Sequence, residues 1–149
     1  MYKFIKKYLV IATFVVVLIL CVWFSNNYQI YYIIGPSMEP TIKQNSFILA
    51  DVKSDAGYGD IIVIDFGDGE EKQAKRIIGL PHDVVIVADY VYINGVKYKS
   101  SRCDFNNCID GEYVLNENEY FVIGDNYIES KDSRFWGPIT EEQILGVKQ

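Results

Sequence analysis

Histidine and cysteine, which supply most nitrogen and sulfur ligands for metal ions, are scarce in this sequence. Of 149 residues, one is histidine and three are cysteine. A zinc site needs about four ligands, and His82 with two thiols would be a poor set. We therefore expect no metal site and no other cofactor.

Basic residues are in the minority beyond the first 24 positions. Residues 1–24 carry three lysines and no acidic residue, so the rest of the chain holds 11 of the 14 basic residues and all 20 acidic ones, a net charge of −9. An acidic domain repels the phosphate backbone of nucleic acids. The sequence therefore predicts no nucleic-acid partner.

Charge, proline and glycine are all missing from the run between Tyr8 and Phe24. As a helix of about 1.5 Å per residue, this run nearly spans the hydrocarbon core of a bilayer. A cleavable signal peptide is disfavoured because bulky residues precede any cut site. A lipoprotein site at Cys21 is disfavoured because Leu20 precedes it. The sequence therefore predicts an uncleaved transmembrane helix at residues 8–24.

The N-terminal flank of this run carries Lys3, Lys6 and Lys7. Positive charge marks the cytoplasmic side of a membrane span. We therefore expect residues 1–7 in the cytoplasm, the helix in the lipid bilayer of the cell membrane, and residues 25–149 as one extracytoplasmic domain.

Four aromatic residues near the end of the run have two interpretations. Trp23, Tyr28, Tyr31 and Tyr32 fit an aromatic belt at the membrane interface. Alternatively, the three tyrosines are ordinary strand residues.

Two cysteines bracket a short loop in the predicted extracytoplasmic domain. Cys103 and Cys108 lie on the oxidising side of the membrane, where a disulfide could persist. Sequence alone does not show whether their Cα atoms come close enough, so both the disulfide and two free thiols remain open.

The pattern beyond the anchor is of short strands separated by turn residues, with no internal repeat. Asn94-Gly95 between alternating apolar and polar residues is a strong hairpin signal. Residues 138–146 alone look helical, with Thr140 as the N-cap. The fold class we predict is mostly β, with one N-terminal transmembrane helix followed by an antiparallel sheet or partial barrel. The predicted strands are residues 46–51, 60–66, 73–80, 91–98 and 119–125.

A rigid serine-containing segment follows the anchor. In residues 35–41 a serine, Ser37, lies between Pro36 and Pro40. Proline fixes its own φ and restricts the residue before it, so the segment could hold a nucleophilic hydroxyl at one angle. A plain turn is the alternative, because glycine, proline and serine all form turns.

A lysine in a predicted strand is the second candidate for chemistry. Lys75 lies beside Ala74, Ile77 and Ile78. A lysine facing an apolar interior loses solvation of its charged form, so its pKa falls and the neutral amine can act as a base. Alternatively, the lysine extends its ammonium group to solvent from a strand edge.

Together with a third segment, these two resemble type I signal peptidases. That family has a nucleophile segment of the type Ser-Met-x-Pro-Thr, a base segment Lys-Arg-x-x-Gly-Leu-Pro-Gly-Asp, and a later segment Gly-Asp-Asn…Ser-x-Asp-Ser-Arg-x-x-Gly. Residues 37–41, 75–83 and 124–137 match them in the family's order and span almost the whole region beyond the anchor.

The resemblance implies a serine endopeptidase with Ser37 as nucleophile and Lys75 as general base, a pair that needs no histidine. Ser130 matches the serine that orients the lysine through a hydrogen bond. Asp132 and Arg134 match an ion pair that braces this region, and such a brace acts on rate more than on binding.

Two positions depart from the family pattern. Gly35 stands where some members have a serine that helps to hold the oxyanion, so backbone N–H groups, that of Ser37 among them, would hold it here. Met38 and Ala74 are the further candidates for binding the oxyanion or the substrate. His82 replaces a glycine, and if that glycine has a positive φ, histidine there is strained but tolerated.

The resemblance also implies the substrate, an exported precursor with small side chains at the first and third positions before the cut. Its signal peptide would pair as an extra strand beside the Ser37 segment and the Lys75 strand, with alternate side chains entering two shallow pockets.

Two other classes of protein share parts of this pattern. A non-catalytic paralogue that assembles surface fibres would lose the nucleophile or the base, whereas this chain keeps both Ser37 and Lys75. A self-cleaving repressor-type protease has the same pair of residues but is soluble and carries a DNA-binding domain, which the anchor argues against.

Overall fold

The computed structural model describes residues 2–67, 69, 71–100 and 110–149. Cys103 and Cys108 lie outside the described residues, so the choice between a disulfide and two free thiols stays open.

The N-terminal helix, α1, covers Tyr2–Asn27 and contains the predicted transmembrane run. In the described part of the chain it is the one helix long and apolar enough to cross a membrane, over Phe4–Asn27, a length of about 36 Å. None of that stretch is buried inside the protein. The hydroxyl of Thr13 donates to the Val10 carbonyl at 2.8 Å, so this polar group is satisfied within the helix.

The helix passes directly into the first strand without a linker. The backbone N–H of Val52 donates to the Asn27 carbonyl at 2.9 Å, which fastens the helix end to the sheet. The Tyr28 ring packs on Trp23 and Phe24, with centroids 6.0 and 5.0 Å apart. The helix end and the domain are therefore joined by packing as well as by the chain.

The domain is built almost entirely of antiparallel strands, as the sequence predicts. A seven-stranded sheet has the order β1-β2-β11-β3-β4-β9-β10, and a four-stranded sheet has the order β7-β6-β5-β8. The strands are β1 Tyr28–Ile33, β2 Ser46–Asp51, β3 Ile61–Ile64, β4 Gln73–Gly79, β5 Val84–Val87, β6 Tyr90–Ile93, β7 Val96–Ser100, β8 Gly111–Val114, β9 Glu119–Ile123, β10 Ile139–Thr140 and β11 Ile144–Lys148.

The predicted hairpin at Asn94-Gly95 is confirmed. Ile93 pairs with Val96, and the two turn residues have φ values of 50° and 77°. A two-residue turn with two positive φ values matches the twist of the strands it joins.

The predicted helix at residues 138–146 is wrong. This stretch contains the short strand β10, a single 3₁₀ turn at Glu141–Gln143, and part of β11. Thr140 is the N-cap residue of this turn, and its backbone N–H donates to the Gln143 side chain at 2.9 Å, as in a capping box. The capping signal is genuine, but pairing of β11 with β2 and β3 makes the residues after the turn a strand.

The sheet is curled, so that β1 and the start of β4 share one core. Tyr31 and Ile33 of β1 pack in the same cluster as Val63 of β3 and Ala74 of β4. The four residues of β3 are all buried and alternate between two such clusters, which covers the strand on both faces. Because Tyr31 is buried in this core, its role is that of an ordinary strand residue.

Candidate active site

The segment after β1 is a tight turn anchored in the core. Glu39 N–H donates to the Pro36 carbonyl at 3.0 Å, and Ile42 N–H donates to that of Met38 at 2.8 Å. The Met38 side chain is fully buried among core residues. The turn therefore has little freedom to move, and it presents Ser37 towards β4.

Lys75 lies in β4, and its side chain contacts Ser37 at the edge of the core. Its Nζ lies 2.8 Å from Ser37 Oγ, and the lysine is only 2% exposed. Loss of solvation on burial lowers the pKa of Lys75 to about 8, opposed by the charge of Asp132 and reinforced by that of Arg134. An amine that is partly neutral near pH 8, at hydrogen-bond distance from a hydroxyl, can accept its proton.

Asp132 and Arg134 form a fully buried ion pair behind the lysine. Arg134 Nε and Nη2 donate to the two carboxylate oxygens at 2.7 and 2.8 Å. The guanidinium also donates to the Tyr127 carbonyl at 2.6 Å, and the carboxylate accepts from Gly124 N–H at 2.9 Å. These contacts tie the segment of residues 124–134 into one unit, so the pair braces this region.

Ser130 is buried beside the pair, but its hydroxyl is not bonded to the lysine. Among the described residues, Ser130 Oγ has no hydrogen-bond partner. A hydroxyl without a partner is costly in a buried position, and a functional site is a common reason for such a group. The role expected of Ser130 therefore remains a prediction.

Residues 124–126 contact both the Ser37 segment and Arg76, the neighbour of Lys75. The sequence did not predict these contacts. Asn126 N–H donates to the Ser37 carbonyl at 3.0 Å. Asp125 accepts from Arg76 Nε and Nη2 at 2.8 and 2.6 Å. Arg76 and Asp125 both lie in segments that match the family pattern, but their pairing across 49 positions could not be predicted from the sequence.

A cleft of about 550 Å³ opens beside Ser37 and Lys75. One wall is the segment Ile33–Ser37, which includes Gly35, and the other is the segment Lys72–Lys75, which includes Ala74. Met38, predicted to bind the oxyanion or substrate, does not line the cleft with its side chain, so its backbone is the part that could contribute. Glu129 and Lys131, to which the sequence assigned no role, also line the cleft.

His82 is exposed, and the cleft lining does not include it. Its φ is 71°, a value that glycine adopts more easily, which agrees with the glycine of the family pattern at this position.

In the described part of the chain, no group of three or more histidine, cysteine or acidic side chains could hold a metal ion.

Known proteins resemble this chain along most of its length. Residues 3–149 match the family described as signal peptidase, peptidase S26. Signal peptidase I U of Bacillus subtilis is 36% identical, over 81% of this chain and 73% of the relative. Signal peptidase IB of Staphylococcus aureus is 31% identical, over 78% and 73%.

A solved structure of a signal peptidase I from Enterococcus faecalis is 29% identical and covers 63% of this chain and 97% of its own, with a TM-score of 0.49. The family match spans nearly the whole chain, and the curated relatives are matched over more than two thirds of their length. The chain therefore belongs to the peptidase S26 family of signal peptidases.

Proposed function

We propose that the chain is a signal peptidase I, an endopeptidase that removes N-terminal signal peptides from exported precursor proteins, with Ser37 as nucleophile and Lys75 as general base. The observation that carries this proposal is the buried contact of 2.8 Å between Lys75 Nζ and Ser37 Oγ. It brings together a hydroxyl and a buried amine from residues 38 positions apart in the sequence.

The proton follows a simple path in this scheme. Neutral Lys75 removes the proton of Ser37 as Oγ attacks the scissile carbonyl carbon. The resulting ammonium then protonates the leaving amine, and the carbonyl carbon stays bonded to Ser37 as an ester. In the second half, neutral Lys75 removes a proton from water as the water oxygen attacks the ester carbon. The bond from this carbon to Oγ then breaks, the signal peptide leaves with a new carboxyl group, and Lys75 returns the proton to Ser37 Oγ.

Ser130, Asp132 and Arg134 would position the base. Two contacts fix the backbone of residues 130–134. One is the buried ion pair, and the other joins the segment to β9, where Val122 N–H donates to Ser133 Oγ at 3.0 Å. With this backbone fixed, the free hydroxyl of Ser130 is available to bond the amine of Lys75 during the reaction. A small misplacement of the amine would cost rate rather than substrate affinity.

Backbone N–H groups would stabilise the developing oxyanion. Gly35 has open space where a side chain would be, so no side-chain hydroxyl lies there to contribute. The N–H groups of Ser37 and Met38 then remain as donors, and the anchored Met38 side chain would keep them aligned.

Free strand edges on both sides of the cleft suit an extended peptide. β1 is the last strand of its sheet, and β9 pairs with β4 only from Arg76 onward. The edges of Ile33–Gly35 and Gln73–Lys75 would therefore pair with the signal peptide as an added strand. A requirement for small side chains at the first and third positions before the cut is part of this proposal, with Ala74 among the residues that line the cleft.

The proposed topology has residues 1–7 in the cytoplasm, residues 8–24 across the lipid bilayer of the cell membrane, and residues 25–149 outside. The apolar surface of α1 and the N-terminal lysines support it. A protease added outside intact spheroplasts should digest the chain beyond about Asn26 and spare the N-terminus. Protection of the large domain in sealed cells would reverse the orientation.

Two variants test the pair directly. Ser37→Ala and Lys75→Ala should each abolish cleavage of a precursor peptide while circular dichroism shows the domain folded. The double variant should be no worse than either single one, because residues that act as one unit do not give additive losses. Substantial activity in either folded variant would rule out the pair.

A further inference from the structure

The turn that carries Ser37 is held by one residue of the segment after β9. Asn126 donates to two consecutive carbonyls of this turn, from its backbone N–H to that of Ser37 at 3.0 Å and from Nδ2 to that of Pro36 at 3.4 Å. Asn126 is half-buried, and the lining of the cleft does not include it. It therefore contacts the nucleophile segment without belonging to the walls that face the substrate.

The two carbonyls belong to the peptide groups whose N–H groups are the proposed oxyanion donors. The Pro36 carbonyl shares a peptide plane with the N–H of Ser37, and the Ser37 carbonyl shares one with the N–H of Met38. Both peptide bonds are trans, so each N–H points away from its carbonyl and therefore away from Asn126. Successive N–H groups on one side of a turn form a concavity that binds anions.

These two N–H groups have no other hydrogen-bond acceptor to serve. Among the described residues, neither the N–H of Ser37 nor that of Met38 donates to a protein group. A hydrogen bond accepted by a carbonyl polarises its peptide group, so the N–H at the other end becomes a stronger donor. The contacts from Asn126 therefore both orient and strengthen donors that are available to a charge developing in the reaction.

We propose that Asn126 is a positioning residue that aligns the two oxyanion donors of the proposed reaction. This inference rests on the proposed function. Asn126 does not touch the substrate in this scheme, but fixes two peptide planes through their carbonyls and thereby the direction of their N–H groups. Removing a direct oxyanion donor costs about 10²–10³-fold in kcat. Because the side-chain contact acts through a peptide group and is the longer of the two, its loss should lower kcat by about three- to tenfold.

The test uses the full chain in detergent micelles and compares cleavage of a precursor peptide with inhibition by a peptide aldehyde of the sequence before the cut. Ser37 Oγ adds to the aldehyde carbon, its proton passes to Lys75, and the aldehyde oxygen becomes an oxyanion. The corresponding peptide alcohol has the same side chains but cannot form this adduct. Asn126→Ala should lower kcat and weaken inhibition by the aldehyde, each by about three- to tenfold. KM and inhibition by the alcohol should stay unchanged, because they report no oxyanion.

Asn126→Leu is the second variant, because leucine has nearly the same shape but no N–H to donate. It should show the same losses as Asn126→Ala. Both variants keep the backbone hydrogen bond to Ser37, so both should fold, as circular dichroism would show. In both, the fall of kcat/KM at acid pH should occur over the same pH range as in the wild type, since Lys75 is not displaced.

Asn116→Ala is the matched control. The side-chain amides of Asn126 and Asn116 each donate to a glutamate three residues later, Glu129 and Glu119, at 3.4 and 2.9 Å. Asn116 is exposed and does not line the cleft, so its replacement should leave all these values unchanged.

Four results would overturn the inference and leave the proposed function intact. They are an unchanged kcat in the folded Asn126 variants, equal weakening of the aldehyde and the alcohol, the same losses in Asn116→Ala, and failure of both Asn126 variants to fold. A wild type that neither cleaves the precursor peptide nor binds the aldehyde more tightly than the alcohol would refute the proposed function itself.

Discussion

The strongest quantitative expectation concerns the pH dependence of cleavage. Burial lowers the pKa of Lys75 to about 8, and only the neutral amine can remove the Ser37 proton. About one tenth of the enzyme then carries a neutral lysine at pH 7, and about one hundredth at pH 6. We expect kcat/KM to fall about tenfold per pH unit below 8 and to reach a plateau on the alkaline side.

The assay is kcat/KM for a soluble precursor peptide, which reports the groups that titrate in the free enzyme. His82→Gly is the control, because His82 is the one histidine and lies outside the cleft. Glycine also suits its φ of 71°, so the variant should fold. In His82→Gly, the fall of kcat/KM below pH 8 should occur over the same pH range as in the wild type. A limb that vanishes in His82→Gly, or a rate that is level between pH 6 and 8, would refute a lysine base.

Three further variants test the surroundings of the pair. Lys75→Met should be inactive but more stable at pH 7 by roughly 3 kcal/mol in urea unfolding, because a pKa lowered from 10.5 to about 8 destabilises the folded wild type. That advantage should shrink between about pH 8 and 10.5. In this range the unfolded wild type binds more protons than the folded wild type, so the wild type gains stability as the pH rises. A difference in stability that stays constant with pH would contradict the low pKa. Ser130→Ala should lower kcat severely and leave the melting temperature nearly unchanged, since its hydroxyl has no partner among the described residues; an unaffected kcat would remove Ser130 from the scheme. Gly124→Ala should impair both folding and activity, because a Cβ there would clash with Ser130 Oγ and the Ser37 carbonyl oxygen; a normal melting temperature would mean that the close approach is absent.

Local patterns in the sequence predicted α1 and six of the eleven strands, namely β2, β3, β4, β6, β7 and β9. The uninterrupted apolar run predicts α1, and Asn94-Gly95 predicts its hairpin, because each depends on residues adjacent in the chain. The stretch 138–146 shows where such reasoning fails. Its capping signal produced only one 3₁₀ turn, since pairing with strands distant in the sequence outweighed the local preference for helix.

The sequence by itself determined the identities of the candidate residues, through three motifs in a characteristic order. It could not determine that Lys75 is desolvated, because a lysine beside apolar residues can equally extend to solvent. Only the curled sheet closes the core over this side chain, and that burial is what lowers its pKa. The Arg76–Asp125 contact and the hydrogen bond from Asn126 N–H to the Ser37 carbonyl likewise arise from folding, because they join segments that lie far apart in the sequence.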